Sequence, residues 1–262
     1  KFRFEPTNSQ VNGFKKIAHF LSNAPDNSLL LIKGYAGTGK TTLIGHLVGQ
    51  LGRIRKKSVL MAPTGRAAKV LSAYAGKNAM TIHKKIYFSK ADSGGGSVQF
   101  TLKENKHTHT VFIVDESSMI GDDRQQSKLF ENGSLLHDLV HYVANGEKCK
   151  LIFVGDTAQL PPVNLVLSPA LDEYELGRYF NAKVYTVMLE DVVRQKVESG
   201  ILFNATLIRE LLLKDQFQGF KFRLDGFKDV KQIIEGNEFL ELLSNSLDED
   251  GIDQTVLIVL GL

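Results

Sequence analysis

The sequence predicts an α/β fold, in which helices cover both faces of a mostly parallel sheet. Two observations lead to this class: short runs rich in Leu, Ile and Val recur along the chain, and stretches with helical periodicity separate them. The 262 residues, 43% of them hydrophobic, are enough for one large or two modest domains with a substantial core. This composition excludes disorder as the main state of the chain.

Five apolar runs predict the strands of the sheet. Four are compact and end in small or acidic residues, and the fifth alternates less clearly; they are residues 29–32, 59–61, 111–114, 151–154 and 184–189. Helical signals lie before and between the runs, at residues 10–21, 41–51 and 65–74. Strands that alternate with amphipathic helices are typical of parallel sheets, because each crossover helix packs on a face of the sheet.

Residues 86–102 interrupt this alternation. Two strand-like pieces, 86–90 and 97–102, flank a glycine-rich turn, which is the pattern of a β-hairpin inserted in the domain. A surface loop explains the same residues equally well. We place the insert at about residues 86–105 of a first domain that spans residues 1–190.

The pattern weakens after the fifth run. Polar, helix-like sequence follows, and the chain then carries an apolar run at residues 255–260 that has the composition of a buried strand. We therefore expect residues 191–262 to be the beginning of a second, incomplete domain.

Charge and cysteine content narrow the class of protein. Residues 1–200 hold 26 Lys and Arg against 18 Asp and Glu, whereas residues 201–262 hold 6 against 11. A basic front portion suits a polyanionic partner, although a solvated surface accounts for most of these charges. The single cysteine, Cys149, makes no internal disulfide, and no apolar run approaches the ~20 residues that cross a bilayer. We expect a cytoplasmic protein without membrane contacts.

The strongest motif is GYAGTGKT at residues 34–41, between the first predicted strand and the following helix. It matches G-x-x-x-x-G-K-[ST], a phosphate-binding loop in which the backbone curls so that N–H groups point at the phosphates. The helix start adds partial positive charge, Lys40 supplies a mobile cation, and the Thr41 hydroxyl suits Mg²⁺. The expected nucleotide-binding residues are Gly34, Ala36, Gly37, Thr38, Gly39, Lys40, Thr41 and Thr42.

Two further strand ends carry candidate catalytic residues. Asp115 and Glu116 follow the third run, at the end of a parallel strand where such sheets bind ligands. We expect Asp115 to bind Mg²⁺ and Glu116 to act as the general base for water. Gln159 follows the fourth run and can bond the γ-phosphate or its attacking water. Ordinary surface turns also contain Asp-Glu, Gly-Asp and Pro-Pro pairs.

The ordered motifs together resemble the superfamily 1 helicases of the RecD/TraA type. They are GYAGTGKT, APTGRAA (residues 62–68), TIH (81–83), VDESSM (114–119), GDTAQLPPV (155–163) and VVRQ (192–195). This resemblance covers about residues 7–195. It implies a RecA-like P-loop NTPase fold that uses ATP and Mg²⁺. It also implies movement along single-stranded DNA or at a DNA fork, 5′ to 3′, in repair, recombination or conjugation.

The resemblance also assigns roles to single residues. It makes Gln10 the amide that contacts the adenine edge, although a cap of the first helix explains this residue nearly as well. It makes Arg194 an arginine finger toward the γ-phosphate. The residues that it places on the single-stranded DNA face are Pro63, Thr64, Gly65, Arg66, Thr81 and His83. A packed core histidine is the alternative for His83.

The hairpin corresponds in this family to an inserted strand-separating pin. Tyr87, Phe88 and Phe100 are candidates either for its apolar tip or for the packing of its base.

Two other functions fit part of the pattern. A nucleoside or small-molecule kinase needs an arginine-rich lid and no water activator, so Glu116, Gln159 and Arg194 argue against it. A nucleotide- and DNA-binding scaffold module stays open, because the later motifs of the second helicase domain are absent from residues 1–262.

Overall fold

The structure is a computed structural model that describes residues 5–88, 100–121, 129–191, 199–213, 220–233 and 235–249. The chain divides into two compact units, Lys1–Val193 and Arg194–Leu262.

A parallel sheet forms the centre of the first unit. The strands are β1 (Ser28–Gly34), β2 (Lys57–Ala62), β3 (Ala79–Thr81), β4 (Tyr87–Phe88), β5 (Thr101–Leu102), β6 (Thr110–Val114), β7 (Lys150–Gly155) and β8 (Lys183–Leu189). Six of them form one sheet in the order β3-β2-β6-β7-β1-β8, and each pairing in it is parallel. The predicted α/β class is therefore confirmed.

Helices cover both faces of this sheet. They are α1 (Asn8–Asn23), α2 (Lys40–Arg53), α3 (Gly65–Ala75), α4 (Ile82–Ile86), α5 (Leu135–Ala144) and α6 (Glu173–Phe180). Side chains of β1 alternate between the two faces, as strand geometry requires. Leu30 and Ile32 pack in a core with residues of α1, α2 and α3. Leu29 and Leu31 pack in the opposite core with residues of α4, α5 and α6. Because both faces are buried, residues 29–32 of β1 form one continuous apolar run.

The five predicted strands and three predicted helices are all present, and each is extended by no more than two residues at either end. The sequence did not reveal β3, which has only three half-buried residues. It also did not reveal α4, α5 and α6. These three helices have 5, 10 and 8 residues, and helical periodicity is a weak signal over fewer than about 11 residues.

The base of the predicted insert is an antiparallel pair of strands. Tyr87 of β4 faces Leu102 of β5, and Phe88 faces Thr101. The glycine-rich turn, residues 89–90 of the first predicted arm and residues 97–99 of the second lie outside the described residues. Tyr87 is buried and stacks on Phe100, with the ring centroids 4.9 Å apart. These two aromatic residues therefore pack the base of the insert, while Phe88 is half exposed.

The second unit contains α7 (Gly200–Leu213) and α8 (Gly236–Glu249). Asp229 accepts hydrogen bonds from the Ser199 hydroxyl at 2.6 Å and from the Gly200 N–H at 2.7 Å, at the start of α7. The predicted strand at residues 255–260 lies outside the part of the chain that the structure describes. Within that part, no helix combines the length and apolar character needed to span a bilayer.

Candidate nucleotide site and nucleic-acid face

The phosphate loop joins β1 to α2 at the carboxyl edge of the sheet. Gly37 and Gly39 have φ angles of 78° and 82°, in the left-handed region that favours glycine. A Cβ atom on Gly34 would lie 2.7 Å from Thr38 Oγ1 and 2.9 Å from Leu189 Cβ, so the first loop position has no room for a side chain. The backbone curl expected from the motif thus requires glycine for two reasons. Gly37 and Gly39 have positive φ angles, and Gly34 has no room for a side chain.

Helix α2 begins without a side-chain cap. Its N-cap is Gly39, whereas the hydroxyls of Thr7, Thr64 and Ser134 accept hydrogen bonds from N–H groups in the first turns of α1, α3 and α5. The orphan N–H groups of a helix start bind anions well, and α2 offers them next to the glycine curl. Thr41 and Thr42 lie in this first turn, half-buried and exposed respectively.

Main-chain carbonyls and Asp156, which follows the neighbouring strand β7, hold Lys40. Its Nζ donates to the carbonyl oxygens of Gly34 at 2.6 Å and Tyr35 at 3.0 Å, and it lies 3.6 Å from Asp156 Oδ2. Burial lowers the pKa of Lys40, and the nearby carboxylates, Asp156 foremost, act in the opposite direction. The ammonium group is therefore already in place among anions at the loop.

Asp115 and Glu116 follow β6, which is separated from β1 only by β7. Asp115 is 9% exposed, and its Oδ1 accepts a hydrogen bond from the Glu116 N–H at 2.9 Å. Burial raises the pKa of Asp115 to about 6, although that hydrogen bond and the nearby Lys40 act to lower it. Glu116 has φ 52° and ψ 37°, a left-handed conformation that is uncommon for a side-chain-bearing residue and recurs at functional sites.

Gln159 is connected to the segment that follows Glu116. Its exposed side chain accepts a hydrogen bond through Oε1 from the Ser118 hydroxyl at 2.6 Å. Ser118 is buried in the short 3-10 helix Ser117–Met119. The predicted partner in catalysis, Arg194, lies outside the described residues.

Gln10 connects α1 to the phosphate loop. Its Oε1 accepts from the Thr7 N–H at 3.1 Å in a capping box, and its Nε2 donates to the Thr38 carbonyl at 3.1 Å. The helix-capping alternative is thus realised in the structure. The contact with adenine stays a prediction.

The predicted nucleic-acid residues gather at the same carboxyl edge. Thr64 follows β2 and Thr81 ends β3, and Ala62 and Thr81 are register partners in these neighbouring strands. The Thr64 hydroxyl accepts from the Ala67 N–H, and the Thr81 hydroxyl accepts from the Lys84 N–H, each at 3.2 Å. Both threonines therefore cap the helices that follow them.

The other members of this set differ in exposure. Pro63 is half-buried, and Gly65 and Arg66 are exposed. The ring of His83 lies 5.3 Å from that of Phe100 and 5.7 Å from that of Tyr87, so it packs in the aromatic cluster at the base of the insert.

Comparison with known proteins places this geometry in a family. A family model described as an AAA domain matches residues 18–165, more than half of the chain. The chain belongs to the AAA domain family. The matched part of this AAA domain runs from α1 past β7, and it includes the phosphate loop, Asp115, Glu116 and Gln159.

Two curated relatives extend this finding. The chain is 33% identical over 247 residues to the uncharacterized protein MJ1519 of Methanocaldococcus jannaschii. It is 31% identical over 191 residues to the ATP-dependent RecD2 DNA helicase of Deinococcus radiodurans. These alignments cover 90% and 71% of this chain but 19% and 22% of the relatives, so the chain spans about a fifth of their length. The resemblance to RecD-type superfamily 1 helicases is confirmed.

Among solved structures, the Pif1 helicase from Candida albicans is similar to this chain. It shares 19% identity with a TM-score of 0.49, over 94% of this chain and 55% of that one.

Sequence reasoning missed the carboxylate that faces Lys40 in this AAA domain. Asp156 is 3% exposed, faces Lys40 and accepts from the Ala158 N–H at 2.9 Å. A Gly-Asp pair after a strand is ordinary turn sequence, and only the placement of β7 beside β1 brings this carboxylate to the phosphate loop. The position of this acid directly after a predicted parallel strand, as for Asp115, was the signal that could have found it.

Proposed function

We propose that the chain is the ATP-binding part of a DNA helicase, which couples Mg²⁺-dependent ATP hydrolysis to movement along single-stranded DNA. One observation carries this proposal: adjacent strand ends bring Lys40, Asp156, Asp115 and Glu116 to one edge of the sheet, and the predicted DNA contacts follow the next two strands of that edge. The likeness to the RecD2 DNA helicase supports it.

The residues present fit a magnesium-bound triphosphate. The space at Gly34 is closed to any side chain, and the uncapped start of α2 supplies N–H donors for phosphate oxygens. The Thr41 hydroxyl and the Asp115 carboxylate are oxygen ligands of the kind that Mg²⁺ prefers. No cluster of three or more His, Cys, Asp or Glu suited to a metal occurs within the described ranges. When bound, Mg²⁺ neutralises phosphate charge and orients the chain of phosphates.

Hydrolysis then depends on position and charge. Glu116 accepts a proton from water while the water oxygen bonds to the γ-phosphorus and the bond to the β–γ bridging oxygen breaks, which leaves ADP and phosphate. Lys40 exchanges its carbonyl contacts for phosphate oxygens and offsets their charge. Asp156 positions Lys40, since its carboxylate faces the ammonium group from β7. Gln159 senses the γ-phosphate, and Arg194 adds a further cation.

Movement follows from the sharing of one sheet edge between the two ligands. The Ser118–Gln159 hydrogen bond joins the turns after β6 and β7, and β6 pairs with β2, which pairs with β3. A change in these turns on phosphate release would therefore reach the predicted DNA contacts through neighbouring strand ends. The direction, 5′ to 3′, follows from the resemblance alone.

The test measures phosphate release from ATP by this chain, with and without oligothymidine. We expect stimulation by DNA, and we expect Glu116→Gln to lower turnover about 10²–10⁴-fold while nucleotide affinity is retained, because the variant lacks only the base. Glu147→Gln, at an exposed acid, is the matched control and should behave as the wild type. Unchanged turnover in Glu116→Gln contradicts its role. Nucleotide and DNA binding without any turnover favours the scaffold function instead.

A further inference from the structure

A basic cleft lies between α4 and the segment that leads from β5 to β6. Lys84 and Lys85 line it from α4, and Lys103, Lys106 and His107 line it from the opposite side. Its volume is about 430 Å³. The cleft is separate from the phosphate loop, and none of its residues takes part in the nucleotide site described above.

The charges of the basic cleft are poorly balanced. Glu104 is the one acid among its lining residues and lies 3.4 Å from Lys106, with both side chains largely exposed, so this ion pair is weak. Lys85 Nζ lies 2.7 Å from His107 Nε2, which places an ammonium group against the imidazole. Burial, and then the nearby Lys103, lower the pKa of Lys85. Cations brought together in this way favour an anion that bridges them.

The basic cleft also adjoins the predicted nucleic-acid face. Lys84 donates its backbone N–H to the Thr81 hydroxyl, so the cleft begins within one helical turn of that predicted DNA contact. Lys103 Nζ donates to the Lys84 carbonyl at 2.9 Å and lies 5.8 Å from the centre of the Phe88 ring. The cleft therefore extends from β3 along α4 to the segment that follows β5.

We propose that the basic cleft binds consecutive phosphates of a DNA backbone, next to the strand held at Thr81 and the neighbouring contacts. The proposal rests on the proposed function, because it extends the path of the same ligand. Lysines act as point charges that hold phosphates without reading bases, so binding here is independent of sequence. The phosphates come either from a longer single strand or from the duplex of a fork.

The experiment uses the double variant Lys84→Gln/Lys103→Gln and measures DNA affinity at several salt concentrations. The probes are a labelled oligothymidine and a labelled fork with a single-stranded arm of the same length. Each lost phosphate contact lowers the slope of log affinity against log salt by about 0.7 for a single strand and about 0.9 for a duplex. We expect the double variant to lower the slope by about twice these amounts.

Two controls separate charge from structure. Lys15→Gln removes an exposed lysine of α1, which packs through Phe20 on Tyr185 of β8, at the opposite edge of the sheet from β3. This variant should keep the wild-type salt dependence. Lys84→Arg/Lys103→Arg keeps both charges and should restore most of the slope, whereas a merely misfolded cleft would not recover.

The outcomes distinguish the two sources of phosphate and the two proposals. A lower slope with both probes identifies a single strand, and a lower slope with the fork alone identifies the duplex. An unchanged slope with both probes overturns the cleft as a DNA site, even if ATP turnover is stimulated by DNA. A lower slope without DNA-stimulated turnover supports the cleft as a DNA site and contradicts ATP-driven movement along DNA.

Discussion

Two aspartates buried in the first unit, Asp138 and Asp115, are surrounded in opposite ways. Asp138 is fully buried on α5, and protein donors surround its carboxylate. Oδ2 accepts from the Tyr87 hydroxyl at 2.6 Å and from the Glu131 N–H at 3.2 Å. Oδ1 accepts from the backbone and side-chain N–H groups of Asn132 at 2.7 and 2.8 Å. The described hydrogen bonds to this carboxylate all come from the protein, so Asp138 stabilises the fold.

Asp115 is nearly as buried, but the hydrogen bond described for its carboxylate comes from the backbone of the next residue. Burial raises its pKa to about 6, which means that the fold supports its charge poorly. The difference between these two acids separates a carboxylate that stabilises the protein from one that we propose as a ligand of Mg²⁺. The helix starts differ in a similar way. Side-chain hydroxyls of the protein cap α1, α3 and α5, whereas α2 has no side-chain cap.

The largest effect on stability is expected from Asp138→Asn. The Asn amide places an NH₂ group opposite N–H or O–H donors that bond to the carboxylate in the wild type. Buried hydrogen bonds to a charged group are therefore lost. We expect the free energy of unfolding to fall by about 3 kcal/mol. Urea denaturation followed by circular dichroism measures it.

Tyr87→Phe tests the same site from the other partner. It removes one hydroxyl donor and leaves three others, and it should cost about 1–2 kcal/mol. An Asp138→Asn variant as stable as the wild type would remove the contrast between the two aspartates.

Asp115→Asn is expected to change stability in the opposite direction. The unfolded carboxyl loses its proton near pH 4, whereas the folded one keeps it until about pH 6. Between these pH values the folded state binds more protons, so the free energy of unfolding of the wild type falls as pH rises. The variant lacks this titration. It should be more stable than the wild type by about 1–3 kcal/mol at pH 7, with no difference near pH 4.

Denaturation of both proteins at pH 4, 5, 6 and 7 checks this expectation. A variant that is less stable than the wild type at pH 7 would show that the fold uses Asp115 as it uses Asp138. Turnover should be lost in the variant, because the proposed metal ligand is weakened.

The smallest effect is expected from Thr64→Ala. Its hydroxyl caps α3, so its removal should lower the free energy of unfolding by about 1 kcal/mol. Affinity for oligothymidine should fall as well, while turnover without DNA is unchanged. Thr64→Ser keeps the hydroxyl and should recover both properties, and a loss of stability without any loss of affinity would make Thr64 purely structural.

The sequence predicts most of the sheet and the phosphate loop because both depend on local signals. A run of apolar β-formers indicates a buried strand, and the spacing of glycines around Lys40 indicates a curl of backbone N–H groups. Asp115 and Glu116 are predicted in the same way, from their position directly after a strand. The signals that identify these residues lie within a few positions of them in the sequence.

The remaining features depend on strand order and on distant partners. Asp138 meets Tyr87 across 51 residues of chain, and the basic cleft combines residues of α4 with residues beyond the insert. Asp156 faces Lys40 only because β7 is adjacent to β1. Local propensity says nothing about which strand lies beside which, so such pairs appear only with the tertiary structure.

The glycine at the start of α2 has a consequence for dynamics. A helix whose first turn has no cap of its own frays at that end, and amide hydrogens there exchange readily with solvent. In the proposed function, a bound triphosphate completes this turn by accepting hydrogen bonds from its N–H groups. Nucleotide binding in the loop and ordering of the first turn of α2 are then a single event. Slower amide hydrogen exchange at residues 40–43 in the presence of nucleotide would report it.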